Sequence, residues 1–91
     1  MDKKRFFELE RIFKGAGNHR RIEIMYMLEK KPELSLSEIA ENLSIDFRTV
    51  GEHVRKLAIA GLIMKRHDGN AVRHALTTRG NSILKFCRTL E

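Results

Sequence analysis

Apolar positions return at helical spacing from the start of the chain. Phe6, Leu9, Ile12 and Phe13 form a stripe with Phe7 at its edge, which predicts a helix from Asp2 to Lys14. Gly15-Ala16-Gly17 stops it, because glycine terminates helices at little steric cost. Asn18 is a suitable cap for a second helix from His19 to about Lys30. Ile22, Met25 and Leu28 share one face of that helix, broadened by Ile24, Tyr26 and Met27, and Pro32 closes the region. Leu34-Ser35-Leu36 reads as a short extended piece. Ser37 then caps a brief helix, Glu38 to Leu43, which turns Ile39, Ala40 and Leu43 inward, with Glu38 suited to the positive end of the helix dipole.

Ser44-Ile45 makes a tight turn, Asp46 caps the next helix, and Gly61 ends that helix just after Ala60. Two short helices joined by such a turn form a helix-turn-helix. Leu62 to His67 and Ala71 to Leu76 are extended runs around Asp68-Gly69-Asn70, a strong hairpin signal. Thr77 or Thr78 can cap a last helix carrying Ile83, Leu84, Phe86, Cys87 and Leu90, whose first turn Gly80 and Asn81 weaken. The predicted order is helix, helix, short strand, helix, helix, hairpin, helix. That is a mainly α winged helix-turn-helix with a small β-hairpin, in a single domain over residues 1–91. No internal repeat, low-complexity tract or long linker interrupts it.

Composition adds little until charge is placed along the chain. With 42% apolar residues the chain is ordinary for a globular domain, and its length is near the lower limit for a self-sufficient core. Such a domain often borrows buried surface from a second copy. No stretch is apolar enough for a membrane span, and the charged, amphipathic N-terminus does not read as a signal peptide. The single cysteine, Cys87, suits a reducing cytoplasm, and a nucleoid-associated location is expected. Residues 1–46 hold nine basic and nine acidic groups, whereas residues 47–91 hold nine basic against three acidic. The whole excess of +6 therefore lies in the second half, as expected of a polyanion binder. The plain alternative is a solubilising surface, so the motif has to decide.

On a helical wheel, Val50, Val54, Leu57 and Gly61 cluster on one side of the helix from Asp46 to Ala60. Arg48, Glu52, Arg55, Lys56 and Ile59 fall roughly opposite, with Thr49 and His53 on the flank. An apolar seam backed by three cations suits a helix laid in a major groove, with its N-terminal residues at base edges. Arginine can donate two bonds to guanine, and threonine can bond a base or touch a thymine methyl, so Arg48 and Thr49 are the best base readers. Glu52 either accepts from a cytosine amino group or pairs internally with Arg48, Arg55 or Lys56. His53 is a donor candidate or a satisfied histidine at the edge of the core. The hairpin carries Lys65, Arg66, His67 and Arg73, which makes it a candidate wing for the minor groove or flanking phosphates, or else an edge ribbon covering the core.

At this point the chain resembles the ArsR/MarR-type winged-helix regulators, and ArsR most closely. Gly17-Asn18-His19-Arg20-Arg21-Ile22-Glu23-Ile24 is similar to that family's G-N-x-x-R-x-x-I. Leu36-Ser37-Glu38-Ile39-Ala40 follows, and the run from Leu43 to Ile63 is similar to L-x-x-x-x-x-T-V-S-x-H-L-x-x-L-x-x-A-G-L-V. Leu76-Thr77-Thr78-Arg79-Gly80 looks more like the MarR-type L-T-x-x-G. The resemblance implies a homodimer built from the terminal helices, near 2–14 and 78–90, with Phe6, Leu9, Phe13, Ile83, Phe86, Cys87 and Leu90 between copies. It further implies a near-palindromic double-stranded DNA operator, repression, and DNA contact at Arg48, Thr49, Glu52 and His53. Gly51 departs from the pattern, standing where serine is frequent.

Metal-sensing members carry a cysteine pair on the helix that is here Ser37 to Leu43, and this chain has none there. His19, His53, His67 and His74 lack zinc-ligand spacing, so no metal or cofactor is expected, and nothing identifies an effector. Cys87 beside Phe86 and Leu90 reads as interface packing. No Gly-rich phosphate loop, carboxylate pair, nucleophile elbow or metal triad appears, so an enzyme is not expected. The competing readings are a winged-helix module that binds protein in the transcription machinery and a sequence-independent chromosomal DNA-binding protein.

Overall fold

Every helix starts where a side-chain oxygen can take over the first free amides. Asp2 accepts from the Arg5 amide, Asn18 from the amides of Arg20 and Arg21, Asp46 from that of Thr49, and Thr77 from that of Gly80. The computed structural model describes all 91 residues, in the order α1 Lys3–Ala16, α2 His19–Lys30, α3 Leu36–Leu43, α4 Phe47–Ile59, β1 Ile63–Asp68, β2 Ala71–Leu76 and α5 Thr78–Thr89. No helix is long and apolar enough to cross a membrane.

Three sequence expectations need correction. The third helix is capped by Ser35 rather than Ser37. The Glu38 amide donates to the Ser35 hydroxyl at 3.2 Å while the Ser35 amide donates to the Glu38 carboxylate at 2.8 Å, a closed capping box that draws Leu36 and Ser37 into the helix. The extended piece at 34–36 accordingly shrinks to one bridge, in which the His74 amide donates to the Leu34 carbonyl at 3.0 Å. The first helix also runs past Gly15 to Ala16 and ends at Gly17. Gly15 is there for contact, since a Cβ on it would lie 2.4 Å from the Ala60 Cβ. α1 and α4 can approach this closely only without a side chain at that position.

The core forms where the faces of the helices meet the base of the hairpin. Ile24, Met25 and Leu28 of α2, Ile39 of α3, Val50, Val54 and Leu57 of α4, Leu62, Ile63 and Leu84 are all buried. The hairpin is antiparallel, with Ile63 opposite Leu76, Lys65 opposite His74 and Arg66 opposite Arg73. Thr77 ties its base to α4: its hydroxyl donates to the Gly61 carbonyl at 2.6 Å, and Arg79 donates to the Ala60 carbonyl at 3.1 Å. A cation on the last carbonyls of a helix also answers its dipole.

Gly80 explains a weakness visible in the sequence. Helix propensity alone favours alanine there by about 1 kcal/mol. A Cβ at Gly80, however, would sit 2.2 Å from the Leu62 carbonyl oxygen and 3.1 Å from Leu76 Cδ2. Backbone cannot yield as a side-chain tip can. Gly80→Ala should therefore destabilise the domain by about 1–3 kcal/mol, seen as a melting midpoint lowered by roughly 5 °C or more. An unchanged or raised midpoint would refute the close-approach account.

Candidate nucleic-acid interface

α4 is seated by its apolar seam, and the seam fixes which residues are left outside. Val50, Val54 and Leu57 are buried, whereas Arg48, Thr49, Glu52, Arg55 and Lys56 are exposed. The structure thus brings Arg48, Thr49, Glu52, Arg55 and Lys56 to the outward side of one helix, as the wheel predicts. His53 is half-buried and turns toward α2.

Local bonds then divide these residues. The Thr49 hydroxyl donates to the Asp46 carboxylate at 2.7 Å, and the Thr49 amide donates to the same carboxylate at 3.0 Å. These two bonds hold the Asp46 carboxyl below its usual pKa. Thr49 therefore has its methyl and its oxygen lone pairs to offer, but not its proton. Glu52 takes both arms of Arg55, with Nη2 at 2.7 Å and Nε at 3.1 Å from Oε1. Hydrogen bonding from Arg55, then its charge, holds the Glu52 carboxyl low and raises the pKa of the guanidinium. Of the alternatives open in the sequence, the free domain adopts the internal pair. Arg48 and Lys56 make no ion pair.

The hairpin divides in the same way. Cross-strand partners share a face, so Arg66 and Arg73 lie together on one side and Lys65 and His74 on the other. Arg66 grips the Glu33 carboxylate at 3.2 Å, which raises the pKa of its guanidinium. Arg73 binds Asp68 at 3.3 Å and the Glu33 carbonyl at 3.2 Å, and approaches Glu38 at 3.9 Å. Lys65 is unpaired and shares a crevice with Phe47, Gly51 and Val54 of α4. The structure therefore sets Lys65 beside α4 and engages Arg66 and Arg73 with the loop before α3.

Sequence reasoning passed over two residues here. Phe47, the first residue of α4, is 56% exposed on the α3 and hairpin flank. Arg21 is buried and contacts His53. An apolar residue directly after the cap and the arginine of the G-N-x-x-R run were the available signals.

The terminal helices present a different surface. Phe6, Phe7, Phe13 and Phe86 are all at least half exposed, and Leu90 is 71% exposed. Leu9, Phe13, Ile83 and Phe86 line one groove between α1 and α5, and Cys87 and Leu90 line its continuation. The seven residues expected between copies thus fall in one neighbourhood, with Phe6 on the same helix face. No three His, Cys, Asp or Glu side chains are gathered as a metal site requires.

Comparison with known proteins bears on the family and the fold. Residues 18–79 match the family described as HVO_A0114. The HTH-type transcriptional regulator KmtR of Mycobacterium tuberculosis is 28% identical over 65 residues, covering 71% of this chain and 49% of that protein. The chain therefore spans about half the length of that relative. Reduced HlyU of Vibrio cholerae superposes with a TM-score of 0.81 at 25% identity, over 97% of this chain and 93% of that one. Mb0332 of Mycobacterium bovis, described as a homodimeric winged helix-turn-helix DNA-binding domain and a possible ArsR-family transcriptional regulator, superposes with a TM-score of 0.83 at 21% identity, over 99% of this chain and 84% of that one. The chain belongs to the HVO_A0114 family, and its fold is the winged helix-turn-helix of the ArsR-type transcriptional regulators.

Proposed function

We propose that this chain is a sequence-specific double-stranded DNA-binding regulator of transcription that works as a homodimer, with α4 in the major groove and the hairpin on flanking backbone or minor groove. The observation that carries the reading is the outward side of α4, where Arg48 and Lys56 stand free of ion pairs beside Thr49, on a helix whose seam is fully buried. Arg48 and Thr49 read base edges, while Lys56 and Lys65 hold phosphates on the two flanks. Repression by covering a near-palindromic operator is the mode that requires nothing beyond binding, and it places the protein on cytoplasmic DNA. Four phenylalanines at least half exposed on α1 and α5 favour a second copy as the cover for that face.

A titration on selected and random duplexes across a salt series tests the reading. Selected sites should bind about a thousandfold more tightly than random ones, with affinity falling steeply as salt rises. Arg48→Ala should flatten the preference at one or two base positions, losing about tenfold or more there. Equal affinity for all duplexes would point to sequence-independent coating, and no binding at low salt would sink DNA recognition altogether.

Glu52→Gln separates the two roles left to that carboxylate. Release of Arg55 should raise affinity several-fold on every sequence and steepen the salt dependence by about one phosphate contact. A selective loss at one C·G pair would instead make Glu52 a cytosine reader.

Phe6→Glu and Phe86→Glu each place a charge in the α1–α5 groove. Sedimentation should show a dimer for the wild type and a folded monomer for either variant. A monomeric wild type would exclude the proposed interface.

A further inference from the structure

Arg21 is one of only two polar or charged residues buried in the domain, the other being His74. Its guanidinium closes the end of α1, donating from Nε to the Gly15 carbonyl at 2.7 Å and from Nη2 to the Lys14 carbonyl at 3.3 Å. The remaining arm, Nη1, lies 3.3 Å from Nδ1 of His53 on α4. A guanidinium has no lone pair to give, so Nδ1 must be the acceptor. The imidazole is then neutral, with its hydrogen on Nε2. Nε2 has no partner within the domain, yet no buried side-chain nitrogen or oxygen is left unbonded, so Nε2 reaches solvent.

The surroundings disfavour a charge on the ring. From α2, Arg21, His19 and Arg20 face it, and from α4 Lys56 does so. Arg11 and Lys14 of α1 line the adjoining crevice with Arg21 and Lys56. The nearby carboxylate, Glu52, is taken by Arg55. Burial first, and then the charge of Arg21, push the imidazole pKa down.

We propose that Arg21 is a positioning residue for DNA recognition: it fixes the His53 ring in one orientation and one tautomer, so that α4 presents a single neutral Nε2–H donor to the groove wall beside Thr49 and Lys56. This rests on the DNA-binding reading for its purpose, but the tautomer is a property of the free domain and is measured without DNA. A ring held neutral also has a linkage consequence. Between its lowered pKa and the ordinary value near 6.5, the unfolded chain binds more protons than the folded one. The stabilisation is therefore complete above that value and is lost as pH falls below it.

Long-range nitrogen–proton NMR on the free wild-type protein at pH 7 should show Nε2 protonated and Nδ1 bare, with the His53 titration midpoint below about 6.5. Arg21→Gln should mix the tautomers and let the midpoint rise. Because that variant can also loosen the end of α1, the second arm changes His53 instead. Glutamine supplies both an acceptor for Arg21 and an outward donor, so His53→Gln should bind the selected duplex within about threefold of wild type, whereas His53→Ala loses about tenfold. His53→Lys, with a cation against Arg21, should lose binding and melt at lower temperature. A protonated Nδ1, a charged ring at pH 7, or equal binding by the Gln and Ala variants would overturn the proposal. Absence of any duplex binding by the wild type would refute DNA recognition while leaving the NMR result to decide the tautomer.

Discussion

Val50, Val54 and Leu57 of α4 are withdrawn from solvent into the centre of the domain, and their burial determines where every other residue of that helix points. Complete burial of three such side chains is worth roughly 5–9 kcal/mol gross, whereas an exposed ion pair is worth about 0–1 kcal/mol. The seam therefore sets the rotation of the helix, and the polar residues take the positions left over. Arg48 lies outward because Val50 and Val54 lie inward. The glycine-to-alanine approach of α1 and α4 at Gly15 and Ala60 secures one flank of that seating. Leu36, against the backbone at Gly51, secures the other.

With the helix fixed, charge can be assigned by pairing rather than by count. The second half of the chain carries the excess of +6, but much of it is committed inside the domain. Arg55 is held by Glu52, Arg66 by Glu33, Arg73 by Asp68, and Arg88 by Glu29. Arg79 is spent on the Ala60 carbonyl. What remains unpaired is Arg48 and Lys56 on α4, Lys65 on the hairpin and Lys85 on α5, of which the first three lie on or beside α4, a narrower set than composition suggests. The acidic groups of the first half, Glu33 above all, draw the wing arginines back toward the body. Sequence-local neutrality thus hides a long-range pairing that shapes the charged surface.

The elements were legible where their causes are local. Asn18 and Asp46 cap helices within three residues of themselves, and the Asp-Gly turn lies between runs that pair in register. The Glu52–Arg55 pair, three apart on one helix, was among the alternatives the sequence offered. The Ser35 cap was legible too, since Ser35 and Glu38 have capping-box spacing, but a second serine two positions later obscured it. Other features have causes far away in the chain. Gly15 reads as a helix stop until Ala60, 45 residues later, supplies the reason for its missing side chain. His53 reads as a DNA contact or a core histidine, and only the fold brings Arg21 against it. Arg66 and Arg73 read as free wing cations because Glu33 is 33 and 40 residues away.

α1 joins these threads. Its outward face carries Phe6 and Phe13 of the proposed dimer surface, and its last carbonyls, at Lys14 and Gly15, are the ones Arg21 binds while it holds His53. One rigid helix therefore bears the surface that would place two copies and the contacts that orient a side chain on α4. The junction leaves almost no slack, because the α1 backbone at Gly15 already rests against Ala60. A displacement of α1 by the width of one methyl group would alter the seat of His53 and, in the proposed dimer, the spacing of the two α4 helices. In a domain with so small a core, the proposed geometry between copies and the proposed chemistry of readout would rest on the same few contacts.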